Sequence, residues 1–162
     1  MTLEQPEAEA IVAHLMQEAK GSVLDNAFER FLAICHLPLE TGTFEGHRVL
    51  RTTSELKQLF QEFVDYYALN QITDTIRTPI SIEARDENVI LCTHESWHVS
   101  SQQLLKNKMT AFTEIHRRNG VWAVTRSYYA SEGSAQFHKT LEPRPARSSD
   151  LPNSDKKDQS HG

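Results

Sequence analysis

Cysteine is scarce in this 162-residue chain: Cys35 and Cys92 are its only two. They are too few and too far apart for a secreted disulfide scaffold or a four-ligand zinc module, so they read as small buried or half-buried residues. Basic charge is short as well, with 17 Lys and Arg against 22 Asp and Glu, a net charge of −5 and no basic stripe. A broad nucleic-acid-binding surface is thereby disfavoured, because neutralising phosphates takes clustered cations. No apolar run approaches the roughly 18 residues of a membrane span, and residues 1–7 carry neither a basic start nor an apolar core of the kind that opens a secretory leader. These absences point to a cytoplasmic protein that binds neither nucleic acid nor membrane. What is present is 38% apolar and 8% aromatic content, enough to bury the core of one domain.

Helical spacing comes first. Pro6 suits the first turn of a helix, and Ala8, Ile11, Val12, Leu15, Met16 and Ala19 recur at i, i+3 and i+4 until Gly21. Residues 1–21 therefore read as an N-terminal helix, loosely attached to the main domain. Ser22 and Asp25 resemble a capping box before Leu24, Phe28, Phe31, Leu32 and Cys35, which predicts a second helix to about Ile34. Pro38 ends helical possibilities, and the apolar runs on either side of Gly42 and Gly46 suggest a short hairpin whose first strand is an edge. Thr52 and Glu55 form another capping box before Leu56, Leu59, Phe60, Phe63, Val64 and Tyr67. A strongly amphipathic helix to about Leu69 follows from that spacing.

Residues 74–130 alternate apolar and polar in four successive strands. Asn119-Gly120 is a type I′ hairpin signal. Counting from it, Ile115 faces Val124, Thr113 faces Arg126 and Ala111 faces Tyr128, so Met109, Ala111, Ile115, Trp122, Val124 and Tyr128 share the expected core face. A two-residue turn at Glu87-Asn88 pairs Ile82 with Thr93 and Ile80 with Glu95, gathering Ile76, Ile80, Ile82, Val89, Leu91, Trp97 and Val99 on one side. Glu95 falls with them, while His94 and His98 fall outside. The string His94-Glu95-Ser96-Trp97-His98 matches the zinc-protease pattern H-E-x-x-H. In a strand, however, that spacing separates the two imidazoles by about 13 Å, so no metal or other cofactor is expected. Beyond Phe137 the pattern is lost, and residues 138–162 read as a disordered tail.

The order of elements, with Phe31 to Pro38 leaving a helix, Thr43-Phe44-Glu45-Gly46-His47-Arg48-Val49-Leu50-Arg51-Thr52 leading into the capped helix, and Asn119-Gly120-Val121-Trp122 opening the last strand, resembles the nuclear transport factor 2-like superfamily with its SnoaL-like and ketosteroid-isomerase-like branches. The resemblance implies an α+β cone over residues 22–137: a bent antiparallel sheet of about six strands wrapped around three helices, with a pocket in its mouth and often a dimer through sheet faces. It does not choose a reaction. The isomerase branch uses a carboxylate base with a Tyr and a protonated acid, and no residue-by-residue match to that set is found here.

Glu95 and Arg126 are the charged residues that the alternation places on the apolar face, where a charge needs a partner. They read either as a self-satisfied buried ion pair or as the polar floor of a ligand site. His36, at the mouth between helix and first strand, is a candidate acid or base by residue type, or a structural hydrogen-bonder. Tyr67, Trp97, Thr113, Trp122 and Tyr128 are expected to wall the pocket, the aromatics doubling as ordinary core. The favoured reading is a protein that binds an apolar small molecule, its catalytic form being a metal-independent acid/base lyase, isomerase or cyclase with Glu95, Arg126 and His36 as catalytic residues. The alternative is a non-catalytic dimeric binding module.

Overall fold

A computed structural model of the chain describes residues 2–43, 45–101, 103, 104 and 108–131. In chain order the elements are helices α1 (Gln5–Leu24) and α2 (Phe28–Ala33), strands β1 (Cys35–Thr43) and β2 (Gly46–Leu50), helix α3 (Thr53–Leu69), and strands β3 (Ile72–Asp86), β4 (Val89–Ser100), β5 (Gln103–Leu104), β6 (Met109–Arg118) and β7 (Val121–Ser131). The expected tail at 138–162 lies outside the described residues. None of the described helices is long and apolar enough to cross a membrane.

The helices form where spacing and caps require them. At the start of α3 the Glu55 amide donates to Thr52 Oγ1 at 3.1 Å and the Thr52 amide donates to Glu55 Oε1 at 3.1 Å, satisfying two amides that the first turn leaves open. The helix buries Leu56, Leu59, Phe60, Phe63, Tyr66 and Tyr67. Phe28 and Phe31 pack on Phe60 with ring centroids 5.5 and 5.1 Å away. Gly21 does not end the first helix, which runs on to Leu24 as one piece with residue 22. Nor does α1 hang loosely: Ala8, Val12 and Leu15 are buried, Lys20 pairs with Asp74 at 3.1 Å, and Gln5 donates to the Ile82 carbonyl at 3.0 Å.

The strands form one sheet in the order β2-β1-β7-β6-β4-β3, with the short β5 beside β4. All pairs are antiparallel except β1 with β7, which run parallel. β1 is thus interior rather than an edge; Pro38 is accommodated because the β1–β7 register breaks between Cys35 and Glu40. Asn119 and Gly120 take positive φ of 52° and 78°, as the type I′ turn demands. The result is an α+β fold in which a curled sheet wraps the helices and the core lies between them.

Bulges set which side chains face inward. Asp86 pairs with Val89, as the two-residue turn requires, but the β3–β4 register then slips at Arg85, at Ile80 and at Thr73, so Ile82 meets Cys92 rather than Thr93. On β7 the register holds to Val124 and slips at Thr125, so Thr113 meets Ser127 and Ala111 meets Tyr129. Each one-residue slip exchanges the two faces of everything beyond it.

Two substitutions separate capping from burial in α3. Leu56, fully buried, should cost roughly 2–5 kcal/mol when changed to Ala, whereas Thr52→Ala should cost about 1 kcal/mol. Urea unfolding of both variants measures the difference.

Candidate functional site

Between helices and sheet lies a cavity of about 120 Å³. Val12, Leu15 and Met16 of α1 and Leu59, Phe63 and Tyr67 of α3 cover it, and the inner face of the sheet supplies the rest. That inner face is polar where β3 meets β4. Arg77 pairs in register with Ser96, and His94 and His98 lie two residues to either side of Ser96 on the same face. All four line the cavity, facing Thr113, Ser127 and Tyr129 from β6 and β7.

One formal charge enters this space. Among the described residues no Asp or Glu lines the cavity and no carboxylate lies within ion-pair distance of Arg77. Among the described residues its guanidinium makes one hydrogen bond, a long one, to the Met16 carbonyl at 3.3 Å. Burial, and secondarily the Arg77 charge, push His94 and His98 from 6.5 down to about 4, so both imidazoles are neutral at physiological pH. His98 is wedged against Tyr66 and Tyr67, with centroids 5.7 and 5.3 Å away. His94 is 9% exposed, and its Nδ1 is buried with no hydrogen-bond partner among the described residues. Burial raises the Tyr129 phenol, partly offset by Arg77, and pushes the Cys35 and Cys92 thiols to about 12 and about 11. Both thiols are protonated and unreactive.

The structure separates the residues that sequence reasoning grouped together. Tyr67 and Thr113 line the cavity; Trp97, Trp122 and Tyr128 do not. Glu95 lies on the outer face, paired with Lys108, because β4 runs without a bulge beside β6 and its even-numbered residues, Ile90 to His98, are the ones that face inward with Ala111, Thr113 and Ile115. Arg126 is also outside, sent there by the bulge at Thr125; it meets Glu40 at 2.7 Å and Glu114 at 3.8 Å. Tyr128 donates to Glu40 Oε2 at 2.6 Å on that same face. His36 lies away from the cavity, its Nε2 3.1 Å from the His116 carbonyl and 2.9 Å from the Val121 carbonyl. Two carbonyl partners require a proton on Nε2, and the ring ties the start of β1 to the β6–β7 hairpin.

His94 and His98, expected outside, instead line the cavity, because it is the even-numbered residues of β4 that face inward, and Arg77, Ser96 and Tyr129 join them there without having been expected as site residues. One signal was available: Pro79 inside a long strand, where proline is confined to edges and bulges. Pro79 adjoins the slip at Ile80 and stands on the edge strand β3.

No protein-family model and no curated protein matches this sequence. Solved structures match its shape. One is a protein of unknown function with a cystatin-like fold from Nostoc punctiforme PCC 73102, 15% identical over 83% of this chain and 97% of that one, with a TM-score of 0.62. Another is hexachlorocyclohexane dehydrochlorinase LinA-type3 from Novosphingobium barchaimii LL02, 15% identical over 77% of this chain and 86% of that one, TM-score 0.57. A nuclear transport factor 2-like superfamily protein from Salmonella enterica serovar Typhimurium LT2 is 9% identical over 82% and 96%, TM-score 0.57. The chain has the nuclear transport factor 2-like fold.

Within this nuclear transport factor 2-like cone, the two buried imidazoles make stability depend on pH. The unfolded chain takes up protons near pH 6.5 and the folded one only near 4. Stability is therefore complete above the unfolded value and is lost as pH falls through that window, by up to roughly 3 kcal/mol for each imidazole. The lowered carboxylates Glu18, Glu40 and Asp74 add their own loss at lower pH. Urea unfolding near neutral pH and near pH 4 should show the decline, and His94→Gln should make it shallower.

Proposed function

We propose that the protein holds a compact, largely apolar molecule inside the cone and moves a proton on it without a metal, as a lyase, isomerase or cyclase, with His94 as the proton acceptor. The observation that carries this reading is the His94 Nδ1, buried, facing the cavity and unpartnered among the described residues. An orphaned polar atom costs free energy that a ligand group can recover. Desolvation keeps the imidazole neutral, and the adjacent Arg77 stabilises the anion that proton removal leaves behind. Glu95, Arg126 and His36 have no part in this reading, since none of them lines the cavity. Protonated, unpaired thiols fit a reducing, cytoplasmic setting.

A second reading rests on the outer face of the sheet. Ile76, Ile80 and Phe112 are exposed there by 46%, 57% and 38%, and Ile76 is paired across the ladder with Trp97. Such a surface suits a second copy of the chain, giving a homodimer through sheet faces, with or without catalysis. Light scattering should give a dimer mass for the intact chain and a monomer mass for Phe112→Glu; a monomer in both cases removes this reading.

Base-promoted ring opening of benzisoxazole tests the first reading, because that small aromatic substrate reacts by loss of one proton to any suitably placed base. The protein should accelerate the reaction, His94→Gln should slow it by roughly a hundredfold, and a chelator should leave the rate unchanged. Equal rates for the two proteins would overturn the assignment of His94.

A further inference from the structure

We propose that Arg77 is the anchor of an anion subsite inside the cone, and that the ligand class is a small ring or branched hydrocarbon bearing one carboxylate or an equally compact anion. This deepens the reading of the cone as a small-molecule site and rests on it. The guanidinium lines the cavity, and among the described residues no carboxylate balances it. A guanidinium offers five N–H donors in a planar fork. Here, among the described residues, the one acceptor it engages is the Met16 carbonyl, at 3.3 Å. In a surface arginine water would take the remaining donors. This one is half-buried and lines the cavity together with His94, His98 and Tyr129.

The groups around it complete the description. From β4, Ser96 lies across the ladder with the two neutral imidazoles on either side; from β7 come Ser127 and Tyr129, and from α3 Tyr67. None of these carries a negative charge at neutral pH, so an arriving anion meets one cation, several neutral hydrogen-bonding groups and no repulsion. The His94 Nδ1 supplies a second, independent indication that a polar group belongs in this corner, being buried with no partner among the described residues. The opposite wall is hydrocarbon, from Val12, Leu15, Leu59, Phe63 and Ile115. A space of about 120 Å³ is close to the roughly 150 Å³ cavity that accepts benzene. A single six-membered ring fits against the apolar wall, with its charge toward Arg77. Bidentate pairing with a carboxylate is the geometry that a guanidinium favours.

Calorimetric titration of the intact protein with benzoate, benzamide and toluene tests the proposal. Benzoate should bind at least about tenfold more tightly than benzamide, the increment expected of a charge-assisted pair. In Arg77→Met the preference should vanish while toluene still binds. Arg77→Lys, which keeps the charge but loses the fork, should retain part of it. If Arg77→Met does not fold, the imidazole resonances of the unaltered protein give the same answer: benzoate should shift those of His94 and His98 more than benzamide does. Binding of toluene and benzamide with no preference for benzoate would overturn the anion subsite and leave the cone as a small-molecule site. Exclusion of all three would overturn both.

Discussion

A bulge adds one residue to one strand and turns every later side chain to the opposite face, and the inner surface of this cone is the product of such slips on β3 and β7. Without the one at Thr125, Tyr128 rather than Tyr129 would stand beside Ala111 and point inward. Without those on β3, Arg77 would not lie across from Ser96. The same insertions increase local twist, and twist lets a single sheet curl around α1 and α3 while Leu56, Leu59 and Phe60 fill the space near its base. Fold and site thus depend on the same few residues.

The cavity that results is electrostatically one-sided. Among the described residues it contains a guanidinium, two imidazoles kept neutral and two thiols kept protonated, and no carboxylate. The chain's acidic excess lies elsewhere: Glu40 and Glu114 with Arg126 on the outer face, Glu18 and Asp25 with Arg30, Glu62 with Arg48. The pairs of Arg126 and Arg30 are partly exposed and each contributes little to stability, whereas Arg48 and Glu62 are largely buried together. Arg77 differs in kind: it is half-buried and, among the described residues, has no carboxylate beside it, and a charge so placed is costly.

The helices and turns were legible because their signals are local. The Thr52 and Glu55 box, the i, i+4 stripe from Leu56 to Tyr67, and Asn119-Gly120 each fix their element through contacts a few residues away. The strand assignment of His94 to His98 was legible too, since β-branched alternation outweighs a five-residue motif. The facing of that strand was not. Inward alternation is recognised by apolar residues, and here Ile90, Cys92, His94, Ser96 and His98 face inward while Leu91, Trp97 and Val99 are half-buried on the other side. A cavity wall lined by polar groups inverts the usual rule, as does an outer face that keeps half-buried and exposed apolar residues.

The H-E-x-x-H string shows the same inversion at the scale of five residues. On a helix its two histidines would share an ion and its glutamate would stand beside them. On β4, parity keeps the histidines together on one face, four residues apart, and sends Glu95 through the sheet to Lys108. The charge that accompanies the imidazoles comes instead from the neighbouring strand and has the opposite sign. A glutamate beside His94 would favour its protonated form; the Arg77 guanidinium, together with burial, disfavours it. Identical letters on a different period therefore yield a neutral, electron-pair-bearing ring next to a cation, an arrangement whose natural complement is an anion rather than a metal.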